Sequence, residues 1–235
     1  MALGTALSSA LDVSTTIGVQ SLSFTGGGFA IVDALIGSGS LTVCVMSYYN
    51  DYSNNAPIQD GDHTQIRVFF AEGSGAQRPT LVIEDSTGAI NSIVAEDSGD
   101  DDDAVLFNQT SDGSVSWDTI RGDIDTSGSN RRDSDTNYLS GIYTRKSSGR
   151  GGAVFTDNRR CYFVFDLSGM NATRTYVDAN LNLRLDNLGH TNDDFGKIIA
   201  VQATALAGTT ADYGNCFAVD EVTVTHNATF FGANF

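Results

Sequence analysis

Apolar and polar positions alternate along most of this chain, and the alternation predicts strands. In 161–167, Cys161, Phe163, Phe165 and Leu167 face one way, and Tyr162, Val164 and Asp166 the other, because side chains alternate across a strand. SGMNA supplies turn residues, and Leu181, Leu183 and Leu185 then alternate with Asn182, Arg184 and Asp186. The two strands read as a hairpin with one buried side. In 40–49, Leu41, Val43 and Val45 alternate with Thr42, Cys44 and Met46. Both faces are nearly apolar, so this strand is expected at the centre of a sheet.

Further strands are predicted over 13–24, with Val19 and Leu22 in the core, and over 64–70, with Ile66, Val68 and Phe70 on one side. Others follow at 81–83, 105–107, 197–206 and 217–225. Val115 and Trp117 read as strand, with Trp117 as a core anchor. One helix is expected at 29–36, where Phe29, Val32, Leu35 and Ile36 fall at helical spacing before Gly37 and Gly39. Two prolines against twenty-five glycines fit many turns between short strands.

The core segment also carries a resemblance. Phe163, Phe165, Asp166, Leu167 and Ser168, followed by Ala179, Leu181 and Leu183, resemble the centre of a DNRLRE-type domain, a carbohydrate-binding-module-like jelly roll. SGRGGAVFTDNRR at 148–160 is similar to versions found in structural proteins of marine bacteriophages. The closing strand of that pattern resembles 78–83, which here precedes the central strands. The order implies a circular permutation within one chain, or halves completed by strands of neighbouring subunits. The expected fold is a single all-β, jelly-roll-like antiparallel sandwich with one short helix, spanning 1–235. Residues 1–84 would supply closing strands, 85–104 an acidic linker loop, and 105–235 the opening and central strands.

Charge narrows the partners. A formal net charge of −16 repels phosphate backbones and anionic bilayers, so neither nucleic acid nor membrane insertion is expected. The N-terminus lacks the basic and apolar regions of a secretory signal, which suits assembly in a host cytoplasm. Cys44, Cys161 and Cys216 lie in apolar runs and read as small buried hydrophobes.

The segment 118–150 is polar, reads as one long loop, and concentrates scarce cations. Arg131, Arg132, Arg145, Lys146 and Arg150 suit docking on an acidic neighbour, another copy included. Phe230, Phe231 and Phe235 would close the core or enter a partner subunit. Tyr48, Tyr49, Tyr52, Tyr138 and Tyr143 are the candidate glycan-stacking rings, expected in loops. Asp123, Asp125 and Ser127, with Gly128, have the spacing of a calcium loop, and Asp133 and Asp135 flank the twelfth position, which is Ser134. No other cofactor is expected. The acidic run at 97 and 100–103 could capture a cation, but adjacent carboxylates on an extended chain point in opposite directions. Arg121-Gly122-Asp123 and the three N-x-Thr sequons read as chance in this composition.

For catalysis the pattern offers little. His63, His190 and His226 make no metal-spaced pair, and Asp193 and Asp194 beside His190 read as turn residues. The expectation is a non-enzymatic virion protein on a phage exterior, as capsid decoration, fibre or tail adhesin. Its partners would be copies of itself and other virion proteins. The rivals are a carbohydrate-binding or receptor-binding module that takes a host-surface glycan, and a self-assembling extracellular fibre subunit.

Overall fold

The two strands of the core segment do not pair with each other. β10 (Val154–Asp166) bonds to β3 (Ser40–Ser47), β7 (Asp103–Thr110) and β9 (Leu139–Ser148). β11 (Tyr176–Leu188) bonds to β2 (Gly18–Ser23), β4 (Thr64–Phe69) and β5 (Thr80–Asp85). The expected hairpin is therefore an arch across the sandwich. Alternation decides which side chains face inward; it does not decide the pairing partner. Here the rows Phe163 and Phe165 and Leu181 and Leu183 share one buried core. Nor has β10 one buried side: Cys161 to Phe165 are buried on both faces.

The computed structural model describes residues 4–13, 17–61, 63–70, 77–96, 103–111, 115–122, 131–133, 139–149, 154–188, 196–204, 213 and 216, with backbone alone at 103, 131–133, 139–140 and 187–188. Among these, strands from both ends of the chain form one antiparallel set folded into a sandwich. One layer runs from β1 (Leu11–Asp12) through β12 (Lys197–Ala203), β3 and β10 to β7 and β8 (Arg131–Asp133). The other holds β2, β11, β5 and β6 (Ile90–Val94), with β4 and β9 continuing from the end of β11. β9 crosses between layers. It pairs with β4 through Thr64↔Thr144 to Phe69↔Leu139, and with the first half of β10 through Val154↔Ser148 to Arg159↔Tyr143.

The main core lies between the layers. Leu41, Val43 and Val45 meet Leu81, Ile83, Leu181, Leu183, Ile66 and Val68, all fully buried. Each such side chain contributes about 1.5–3 kcal/mol by leaving water. A second cluster covers the outer face of the first layer. Cys44, Met46, Tyr162, Ile199 and Val201 pack there under Tyr213 and Cys216. β3 is thus buried on both sides, as its two apolar faces predict. All three cysteines are buried thiols outside any disulfide.

Several expectations need correction. The helix α1 (Gly26–Leu35) starts three residues earlier than the apolar spacing predicts, because Thr25 caps it: its Oγ1 accepts from Gly28 N at 3.3 Å. Val19 is largely exposed, since Leu22 alone turns inward from β2. Trp117 stands in a second short helix, α2 (Trp117–Gly122), and is half-buried. Residues 48–52 wind into a π-helical turn, Tyr48–Tyr52. The supposed linker 85–104 contains β6 and the buried Ala95, and the supposed loop 118–150 contains α2, β8 and β9. Polar outward faces on these strands diluted the alternation that would have revealed them.

Candidate functional site

The sequence Thr156-Asp-Asn-Arg-Arg160 sits on β10 where β7 and β9 flank it, beyond the reach of the second layer. Strand alternation sends Asn158 and Arg160 to one face and Asp157 and Arg159 to the other. The face bearing Asn158 and Arg160, which Tyr162 continues into the second cluster, is closed. Arg160 and Asp51 are both fully buried. Arg160 Nε donates to Asp51 Oδ2 at 2.6 Å and Nη2 to Oδ1 at 2.8 Å. Nη1 donates to the Tyr213 carbonyl at 2.8 Å, Nη2 to the Arg121 carbonyl at 2.6 Å, and the guanidinium lies 4.2 Å from the Tyr213 ring centre.

Neighbouring groups complete this network. Asn158 Nδ2 donates to Asp51 Oδ2 and to Tyr213 Oη, and its Oδ1 accepts from Thr144. Tyr213 Oη donates to the Ile120 carbonyl at 3.0 Å. Arg121 Nε donates to the Asp51 carbonyl. Burial is the largest single influence on Arg160 and opposes its charge, but Asp51, Cys216 and Tyr213 together hold the guanidinium pKa well above its usual value. Burial alone dominates at Arg121, whose pKa is lowered, and at Tyr213, whose phenol is pushed up. These groups satisfy one another, as a buried charge requires. Their work is to tie the π-turn, α2, β10 and residue 213 together.

The face bearing Asp157 and Arg159, which Cys161 and Phe163 continue into the main core, stays part-exposed. Arg159 lies with its guanidinium carbon 5.0 Å from the ring centres of both Phe107 on β7 and Tyr143 on β9. The register places these three side by side. In the next row Asp157 stands between Gln109 and Arg145. Arg159 Nη2 donates to Asp157 Oδ2 at 2.6 Å, and Arg145 Nη1 donates to Tyr143 Oη at 3.3 Å. Burial raises the pKa of the Asp157 carboxyl, against the pull of Arg159. Phe155 ends the face, 47% exposed. Aromatic rings, a desolvated carboxylate and cations within one small area can grip a polar or charged partner.

Two candidates from different lists, Tyr143 and Arg145, meet on this face. Lys146 is half-buried one residue on, where its carbonyl accepts from Asp60 N. Tyr48 and Tyr52 stack at 5.8 Å and 19° in the π-turn, half-buried against the second cluster, with Tyr49 beside them. Tyr48, Tyr49, Tyr52 and Tyr143 thus stand on regular elements rather than in loops. Arg131, Arg132 and Asp133 lie on β8, paired with Phe107, Leu106 and Val105. Asp123, Asp125, Ser127, Asp135, Tyr138, Arg150, Phe230, Phe231 and Phe235 lie outside the described residues. Among the described residues no cluster of His, Cys, Asp or Glu is arranged to hold a metal ion. Sequence reasoning missed Asp51, Asn158, Arg159 and Arg160. The available signal was the doubled arginine inside a strand, since one of two adjacent cations on a two-sided strand must be paired inside.

Comparison with known protein families, curated proteins and solved structures finds no match.

Proposed function

We propose that this chain is a non-enzymatic structural protein of a bacteriophage exterior, acting by protein–protein contact. The observation that carries the reading is the division of labour on β10. The charges of its Arg160 face are consumed in holding the fold, while exposed Arg145 and Phe155 on the other face can meet a partner. The likeness of 148–160 to phage structural proteins supplies the setting, and capsid decoration, fibre and tail adhesin all suit such a face. Exposed Arg145 gives an acidic protein a local cation that accepts acidic neighbours.

The test uses particles made by the genome that encodes the chain. Peptide mass spectrometry should find it at structural abundance, and recombinant protein should bind particles lacking it. Phe155→Asp with Arg145→Glu should abolish that binding without unfolding the protein. Absence of the chain from purified particles overturns the reading.

A carbohydrate-binding module is the second reading, favoured by the stacked Tyr48 and Tyr52 beside Tyr49. It predicts hits on a glycan array, in calcium or without it; an array at background removes it.

A further inference from the structure

β6, with the sequence Ile-Asn-Ser-Ile-Val, is an edge strand: among the described residues it pairs with β5 alone. The phase of that ladder is set by the bonds at its ends. Asp85 N donates to the Ala89 carbonyl at 3.0 Å, and Ala95 N to the Pro79 carbonyl at 2.9 Å. Directly bonded pairs recur every second residue in an antiparallel ladder. Asn91 and Ile93 therefore turn their backbone groups to β5, while Ile90, Ser92 and Val94 turn theirs to the open edge.

Among the described residues this edge lacks the usual guards. Soluble proteins protect an edge strand with lysine, proline, a bulge or a cover. β6 has no charge and no proline in a chain of net charge −16. Ile90 is 57% exposed and Val94 41%. An open groove of about 580 Å³ separates the strand from the turn holding Asp166, Gly169 and Met170. Asn91, whose buried Nδ2 has no partner, lines that groove.

We infer that β6 pairs antiparallel with β6 of a second copy, about a two-fold axis at Ser92. In this register Ser92 faces Ser92, and Ile90 faces Val94 of the second copy. Every outward N–H and C=O of Ile90, Ser92 and Val94 then finds a partner. The rows are also compatible in charge. Glu84, beside Ile90 on β5, would look across to Val94 and Thr80 of the second copy, and Val82 and Ser92 to their own counterparts. No carboxylate opposes another, and apolar side chains meet apolar ones. A shift of one residue turns outward groups away from their partners and breaks these rows. The contact is isologous, so it closes as a dimer rather than growing into a fibre. It goes beyond the function proposed above and uses none of the residues around Arg159.

Sedimentation equilibrium on the full chain tests the pairing. The wild type should be a dimer. Ser92→Pro removes only an outward N–H, so it should weaken dimerisation by about tenfold or more and leave the monomer's circular dichroism spectrum unchanged. Ser92→Cys should cross-link on mild oxidation, because directly bonded antiparallel residues have Cα atoms about 5.5 Å apart, within disulfide reach. The native cysteines are buried and should not compete. Ser21→Cys, exposed elsewhere on the same layer, should stay unlinked. A wild type that remains monomeric at high concentration, a dimer indifferent to Ser92→Pro, or a Ser92→Cys protein that fails to cross-link overturns the inference. Particle binding through the Arg159 face should survive in the Ser92→Pro variant, so the two ideas fail separately.

Discussion

Arg160 and Asp51, 109 residues apart in the chain, form a two-pronged ion pair with no solvent access, at 2.6 and 2.8 Å. The pair fixes the π-turn after β3 against the middle of β10. Through the Tyr213 and Arg121 carbonyls it also fixes two further segments.

Removing one member should therefore cost more than removing both. Arg160→Met leaves the buried Asp51 carboxylate without its two-pronged partner and with Arg121, 3.5 Å away, as its remaining cation, a loss of up to about 3–5 kcal/mol. Asp51→Leu combined with Arg160→Met should recover part of that loss, since the two apolar side chains need no partners while Arg121 and Asn158 lose Asp51 as theirs. Urea unfolding of the single and double variants measures both. An Arg160→Met protein within about 1 kcal/mol of wild type would show that the pair anchors nothing.

Much of the fold is legible from alternation alone. Leu41, Val43 and Val45 and then Leu181, Leu183 and Leu185 declare their buried face in sequence, and the two apolar faces of β3 declare its central place. The arch between β10 and β11 is not legible, because a side chain's direction is a local property and its neighbour across a sheet is not. The polar network is hidden for a related reason. Asp51 stands in a run of Asn, Asp, Tyr and Ser that looks like any polar loop, and nothing local says that it meets Arg160. The Arg159 face was half visible: Tyr143 and Arg145 stood out as an aromatic and a cation, but only the register with Arg159 and Phe107 joins them.

The start of α1 supplies a second prediction. A Cβ built on Gly28 would lie 2.1 Å from the Leu7 carbonyl oxygen, a backbone atom that cannot swing away. The same carbonyl accepts from Thr25 N at 2.8 Å, so the N-terminal segment is bound tightly across the first turn. Gly28→Ala gains helix propensity, normally about 1 kcal/mol. The clash should outweigh it, with a net loss of about 1–3 kcal/mol in denaturant unfolding. Gly26→Ala, where a Cβ meets nothing within 4 Å, is the control and should be neutral or stabilising.

Acid sensitivity should centre on the β5–β6 turn. The Asp85 carboxylate accepts from Thr87 Oγ1 at 2.6 Å, from Ala89 N at 3.0 Å, from Thr87 N at 2.9 Å and from Arg174 Nη1 at 2.8 Å. The Thr87 hydroxyl is the largest influence, and together these donors hold the carboxyl pKa down to about 2. A folded-state pKa below the unfolded value stabilises the protein above the unfolded pKa. That contribution is lost as the pH falls from about 4 toward 2. Asp85→Asn should be less stable than wild type at neutral pH and should show a flatter stability curve over that window. An NMR titration of the Asp85 carboxyl carbon that gives an ordinary aspartate midpoint would refute the assignment.

Asp157 should behave in the opposite sense. Its carboxyl is pushed up by burial, and Arg159, bonded to it at 2.6 Å, only partly offsets this. A folded-state pKa above the unfolded value means that the native protein binds the extra proton. Stability from this group is then present below the unfolded pKa and declines as the pH rises through the folded one. Asp157→Asn abolishes that decline and should be no less stable than wild type at neutral pH. Arg159→Ala should raise the Asp157 midpoint further, because it removes the cation and leaves the burial. It should also loosen Tyr143 and Phe107, whose contacts with the guanidinium are each worth about 0.5–1 kcal/mol on an exposed surface. Carboxyl NMR titrations of wild type and Arg159→Ala read the first effect, and thermal unfolding reads the second. A midpoint that falls in Arg159→Ala would mean that the ion pair does not govern this face.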